Sequence, residues 1–216
     1  MQEGILTPLP EFADIPFVSN CDSGSRRKEL YALDLENGTS TRLSFTKHHH
    51  FIVGIDPSYR YLVASCADED TDPPVGLGDE DRRSLWLYDL HTQQMTHLTD
   101  SRNHAEGDSF FPDGEWIVFH MRVAGEEQTD LYKIRRNGTD LTRLTNTSDV
   151  LEADPCWSHG GKNNVFTSFD QDTPRFVLKT MDSDSGTIQV VYDGGEGIAT
   201  AVFSPGNYAP SWSPDD

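Results

Sequence analysis

Basic side chains are scarce in this chain. Seventeen lysines and arginines stand against 36 aspartates and glutamates, a formal net charge of −19 over 216 residues. A surface that negative repels phosphate backbones, so a nucleic-acid partner is not expected, whereas cations or a basic protein face are favoured. Cysteine is nearly missing. Cys21, Cys66 and Cys156 form an odd set with no short spacing. They supply neither a disulfide framework nor a zinc knuckle and read as free thiols. No run approaches the roughly 18 apolar residues of a membrane helix, so no membrane span is expected. The opening MQEGILTPLPEFAD has neither a basic nor an apolar leader region, and export is not expected from it. Helical periodicity is absent throughout. There is no Gly-x-Ser-x-Gly elbow and no glycine-rich phosphate loop, which removes the usual signatures of nucleophilic catalysis and phosphate transfer.

What the chain does have is a repeat. GIDPSYRYLVAS from Gly54, SFFPDGEWIVFH from Ser109 and CWSHGGKNNVFTS from Cys156 each run from apolar residues through a turn into a strand centred on Val63, Val118 or Val165. A second aromatic-rich segment follows: LWLYDL from Leu85, LYKIRR from Leu131 and FVLKTM from Phe176, with LYALDL from Leu30 in the same set. Alternating apolar and polar positions of this length predict half-buried β-strands. ENG at Glu36 and RNG at Arg136 predict two-residue hairpins, since Asn and Gly both tolerate positive φ. Then comes one recurring word: TRLS at Thr41, THLT at Thr96, TRLT at Thr142. Leu98 to Leu144 is 46 residues and Leu43 to Leu98 is 55, the nine extra falling in the acidic loop Asp68 to Arg83. Four short strands per roughly 40–45 residues predict the blades of a β-propeller.

The succession of W-S-P-D-G, apolar strand, L-Y-x-x-D, N-G and R-L-T resembles the TolB-like (WD-like) propeller repeat family. It stands here as FFPDGEWIVF, DLYKIRRNG and TRLT, with PSWSPDD at Pro210 as another copy of the opening. The resemblance covers nearly all of Asp14 to Asp216. DPSYR and SHGGK lack the Asp-Gly of the corner, and the fourth unit has QVVYDGG in place of R-L-T. The expected fold is therefore all-β, one propeller domain over residues 1–216, with units near 12–45, 54–100, 108–146 and 153–193. Residues 209–216 supply the first strand of a further or ring-closing blade. IPFVSN and ELYALDL form a unit lacking its own opening strand, which complements that terminal strand. Three arrangements fit: a piece of a larger propeller, a four-bladed ring closed by pairing the terminal strands, or a ring completed by another copy.

The candidate site residues lie in the segments entering each first strand. Counted back from the corner prolines, His49 aligns with His104, and Glu106, Asp108, Glu152 and Asp154 occupy comparable segments. In a propeller these segments lie near the central channel. A His/carboxylate ring at its mouth, with His49 and His104 as ligands, would suit a divalent metal such as Mn, Ca or Zn, or a sugar acid held through one. The competing reading is that they are loop histidines. In KHHHF, His48 and His50 share a face that His49 does not. Asp68, Asp70 and Asp72 have the spacing that begins a calcium loop, yet Pro73 occupies the glycine position and Asp79 the twelfth, so a solvated acidic hairpin or a weak cation loop is expected. The sequons at Asn37, Asn137 and Asn146 read as turn chemistry. The Ser158-His159 pair reads as a corner variant. Trp86, Trp116, Trp157 and Trp212 read as packing between blades.

The expected function is a non-enzymatic scaffold holding a protein or peptide. The alternatives are a carbohydrate-active or oligosaccharide-binding module with a channel-mouth metal, and the propeller portion of a peptidase. Association into a homo-oligomer is compatible with each. No cofactor is firmly indicated.

Overall fold

The computed structural model describes residues 15–19, 28–44, 49–67, 82–92, 94–170, 175–193 and 210–213. Among them every regular element is a β-strand, and no helix is long and apolar enough to cross a membrane. The chain divides into two compact units, Met1–Ala105 and Glu106–Asp216.

The first unit holds two antiparallel meanders. One is β1 (Ile15–Ser19), β2 (Glu29–Leu33) and β3 (Ser40–Arg42). The other is β4 (His49–Ile55), β5 (Tyr61–Ala67), β6 (Arg83–Asp89) and β7 (Gln94–His97). β8 (His104–Phe110) begins with the last two residues of the first unit and runs on into the second, which holds β9 (Trp116–Arg122), β10 (Asp130–Arg135) and β11 (Thr142–Arg143), then β12 (Val150–Trp157), β13 (Asn163–Asp170), β14 (Arg175–Asp182) and β15 (Ile188–Asp193). The first meander has three strands among the described residues. Phe17 of β1 faces Tyr31 of β2 as Phe119 of β9 faces Tyr132 of β10. That shared cross-strand aromatic pair, of a kind worth about 0.2–1 kcal/mol, identifies β1 with the second strand of the other meanders.

The half-buried alternation expected of the strands holds only in part. YLVASCA in β5 and WIVFHMR in β9 are buried on both faces. Consecutive buried positions mean that both faces of these strands are covered. In the first unit Leu30, Leu43, Leu62, Ala64, Tyr88 and Leu90 form one core between the two meanders. In the second, Leu131, Phe166 and Met181 do the same, with Leu144 packed against them. The leucines of L-Y and R-L-T are thus the residues that fill the wedge.

The repeated word has a polar function as well. Leu30, Leu85 and Leu131 each donate their N–H to a hydroxyl 14 residues on, that of Ser44, Thr99 and Thr145, all at 2.9 Å. Leu43, Leu98 and Leu144 donate back to the carbonyls of the same three leucines at 2.8, 2.8 and 2.7 Å. The residue before each L-Y or L-W completes a clamp. Glu29, almost wholly buried, accepts from Arg42 at 2.9 Å and from the Ser44 hydroxyl at 2.6 Å. Asp130, fully buried, is paired with Arg143 and accepts from Thr145 at 3.3 Å. The second meander replaces both charges at once. Ser84 takes the acid's place and accepts from Trp86 Nε1, while His97 takes the arginine's place and stacks on the Trp86 ring at 4.5 Å. Acid and arginine are kept together or lost together, as expected when either alone would leave a buried charge uncompensated.

The turns also differ from the two-residue hairpins expected at Asn-Gly. β2 and β3 are joined by six residues, and only Gly38 has positive φ, +70°. Asn37 instead accepts from the Thr39 N–H at 2.9 Å, and Asn137 from the Thr139 N–H at 3.0 Å, with each threonine hydroxyl on the same oxygen. The threonine of these two sequons is a turn residue. At the corners, Gly114 and Gly161 have φ of +70° and +69°. SHGGK therefore keeps the corner glycine. DPSYR does not, and exposed Tyr59 takes φ +58° in its place. A left-handed non-glycine residue is strained by roughly 1–2 kcal/mol, against an unfolded-chain entropy penalty for glycine of roughly 0.4–1 kcal/mol. Tyr59→Gly is accordingly expected to stabilise the protein by about 0.5 kcal/mol, read as a higher urea midpoint. A lower midpoint would contradict the assignment.

Of the tryptophans, Trp157 meets Phe111 of the neighbouring meander edge-on at 4.8 Å, and Trp212 donates its Nε1–H to the Cys156 carbonyl at 3.0 Å. Trp86 stacks on His97 and also packs against the core between the first two meanders, while Trp116 lies beneath Lys133 and Arg135 of its own meander.

Candidate functional site

His49 and His104 open β4 and β8, two first strands of equal length. His104 is half-buried and forms a parallel bridge with Arg83 of β6. The side chains of His49 and Asp108 lie outside the described residues, as do Asp68, Asp70 and Asp72. Among the described residues no three His, Cys, Asp or Glu side chains converge to hold a metal ion. His50, the other member of KHHHF, is fully buried. Its Nδ1 lies 3.0 Å from the Lys28 carbonyl and its Nε2 2.7 Å from the Tyr88 hydroxyl. A carbonyl only accepts, so Nδ1 carries the proton and Nε2 accepts from Tyr88. That hydroxyl also lies 3.5 Å from the buried Cys66 thiol, and burial pushes its pKa well up. This histidine belongs to the core.

The second unit brings two of the named acids, Glu106 and Asp154, to a residue that sequence reading missed. β8 and β12 carry acids at matching positions, Glu106 and Asp108 on one, Glu152 and Asp154 on the other. Between them stands His120, in the middle of β9 and almost fully buried. The Asp154 N–H donates to its Nδ1 at 3.2 Å, and its Nε2 lies 3.7 Å from Glu106 Oε1. An imidazole nitrogen that accepts from a backbone N–H bears no proton, so Nε2 carries it, toward Glu106. Gly107 makes room for the ring. Its φ is +74°, and a Cβ there would lie 2.7 Å from His120 Cε1. Asp154 itself has φ +51° at an irregularity in β12. Burial pushes its carboxyl up, His120 opposes that shift, and Glu106 adds to it. The one signal in the sequence was a lone polar residue inside the apolar run WIVFHMR.

Glu152 is fully buried, and neither carboxylate oxygen has a hydrogen-bond partner among the described residues. Its backbone is anchored, with its N–H donating to the Thr129 carbonyl at 3.0 Å and its carbonyl accepting from the Thr129 hydroxyl. Burial raises its pKa. Thr145, Lys179 and Thr147 partly offset the shift, and the Asp130 charge reinforces it. The folded protein thus holds this proton more tightly than the unfolded chain does. Stability present at low pH is lost as the pH rises from the ordinary glutamate range, about 4.3, through the raised native value. Glu152→Gln cannot ionise. Its stability relative to wild type is expected to increase from pH 4 to pH 7 in paired urea titrations, and an unchanged difference would contradict this.

First strands succeed one another in the second unit. Ser109 of β8 faces the Cys156 thiol of β12, and Trp212 bonds the Cys156 carbonyl from the far end of the sequence. Repeated antiparallel meanders stacked in this way define the β-propeller class. Within that class the chain has the TolB-like fold. It superposes on TolB of Acinetobacter baumannii with a TM-score of 0.63 at 19% identity, covering 82% of this chain and 40% of that one. A structure assigned to TolB of Agrobacterium tumefaciens gives 0.63 at 22% identity, over 82% of this chain and 60% of that one. An oligogalacturonate lyase in complex with manganese gives 0.60 at 15% identity, over 76% and 48%. The chain therefore spans about half the length of these structures. Neither any protein-family model nor any curated protein matches it by sequence.

Proposed function

We propose that the chain is a non-enzymatic propeller that serves as a binding scaffold for a protein or peptide, each meander being one blade. The observation that supports this is where its reactive groups are used. Glu29 and Asp130 are clamped to arginines, His50 is sealed beneath Tyr88, and His120 is wedged between two strands in a single tautomer. These groups are spent on architecture. Trp212, bonded to the Cys156 carbonyl beside β12, supports reading residues 210–213 as the start of a further blade. A second reading, a sugar-binding or carbohydrate-active module with a metal on His49 and His104, draws support from the likeness in fold to a lyase in complex with manganese.

Elemental analysis of the purified protein separates the two readings. The scaffold reading expects no stoichiometric Mn, Ca or Zn, and a basic protein ligand whose binding weakens as salt is raised. One equivalent of metal, lost in the His49→Ala/His104→Ala double variant, would support the second reading instead.

A further inference from the structure

The outer strand of the fourth meander differs from the other three. β3, β7 and β11 are three, four and two residues long and carry Arg42, His97 and Arg143. β15 is six residues long, Ile-Gln-Val-Val-Tyr-Asp, with no basic side chain and every residue exposed. Ile188, Val190, Val191 and Tyr192 are 42%, 59%, 56% and 51% exposed, half of the large apolar side chains open to solvent among the described residues. β15 pairs with β14 on one side and, among the described residues, ends the sheet on the other. Sheet edges are ordinarily blunted by shortness, lysine or proline, and β15 has none of these, only the register shift at Val191. A long apolar edge of this kind is the template that strand addition uses. Backbone bonding gives the affinity and alternate side chains give the selectivity.

Charge identifies the occupant. Asp182 and Asp184 stand in the turn before β15, and Asp193 closes it. Asp182 is held ionised by the backbone N–H of Ser185. The edge is thus apolar but for Gln189, with Lys179 of β14 opposite Val190, and acidic at both ends, on a chain of net charge −19. A second copy would bring like charge to both ends. We propose that the Ile188–Tyr192 edge takes an extended segment of a protein partner, alternating apolar residues flanked by lysine or arginine about five residues apart, the span of such a strand at roughly 3.3 Å per residue. This rests on the scaffold reading and names its partner class.

The test uses the full chain and a fluorescein-labelled nonapeptide of alternating valine and threonine with a lysine near each end. A second peptide carries glutamate at those places. Fluorescence polarisation is expected to give saturable binding of the lysine peptide, weakened at least tenfold in 0.5 M salt and at least tenfold by Val190→Lys. Leu141→Lys, at an exposed apolar residue elsewhere, should leave it unchanged. Amides of β15 should become protected from exchange when the peptide binds. Several results would overturn the proposal: equal binding of the glutamate peptide, indifference to Val190→Lys, a dimer that Val190→Lys converts to monomer, or β15 amides already protected in a peptide-free monomer. A stoichiometric metal would remove the scaffold reading and leave the peptide result standing. Failure of the peptide with no metal found would remove the edge proposal alone.

Discussion

Arg143→Ala is expected to destabilise the protein by about 3 kcal/mol, the lower end of what removing one partner from a buried ion pair costs. The carboxylate of Asp130 would be left fully buried with only the Thr145 and Thr147 hydroxyls and the Thr147 N–H to solvate it. Arg143 is itself about one-third exposed, which keeps the cost at that lower end. Its second contact, with Glu126, lies at the surface and adds little. For a chain of this size the change corresponds to a fall in Tm of roughly 6–12 °C. Arg136→Ala, which removes a surface pair with Glu115, should cost under about 1 kcal/mol. The second meander suggests the remedy, because it has serine where the others have an acid. Asp130→Ser in the Arg143→Ala background should recover most of the loss, since no charge then stays buried. Thermal unfolding of the three variants decides the matter. Equal losses for Arg143→Ala and Arg136→Ala would show that the clamp contributes nothing special.

Gly107→Ala is expected to cost about 3 kcal/mol or more, through two separable effects. A left-handed φ of +74° strains any residue with a Cβ, by roughly 1–2 kcal/mol. The new methyl would also overlap the imidazole of His120, which cannot swing away while the Asp154 N–H and Glu106 hold it from two sides. In a His120→Ala background the overlap disappears and only the backbone strain persists. The cost of Gly107→Ala should then fall to about 1–2 kcal/mol. The same cost in both backgrounds would mean that ring and glycine are independent, and that His120 is not wedged where the structure places it.

The parts of the fold legible in the sequence were those written as repeated words. L-Y, R-L-T and the corner residues recur at nearly fixed spacing, and each copy folds into a meander of the same strand order. Their reason was not legible. Glu29, Ser84 and Asp130 differ in chemistry, and the residue that each accepts from lies either 13 residues on or, for Ser84, two. No single-residue pattern joins them. The half-buried expectation failed at β5 and β9 because alternation marks a strand covered on one side, and these two are buried at consecutive positions on both. Among the candidate site residues, Glu106 and Asp154 are named from their place in the strands as channel-mouth candidates, and the structure puts His120 between them. His120 went unnoticed because a histidine inside an apolar strand leaves no spacing signature, and its partners come from β8 and β12.

Backbone amide exchange followed residue by residue near neutral pH tests the repeated clamp in three places at once. The N–H groups of Leu30, Leu85 and Leu131 all end on a hydroxyl at 2.9 Å, and all three leucines are fully buried. They should rank together among the slowest in the chain, and Ser44→Ala, Thr99→Ala and Thr145→Ala should each release only its own leucine. If any of the three exchanges at the rate of an open loop while the others stay closed, the meanders do not share one clamp.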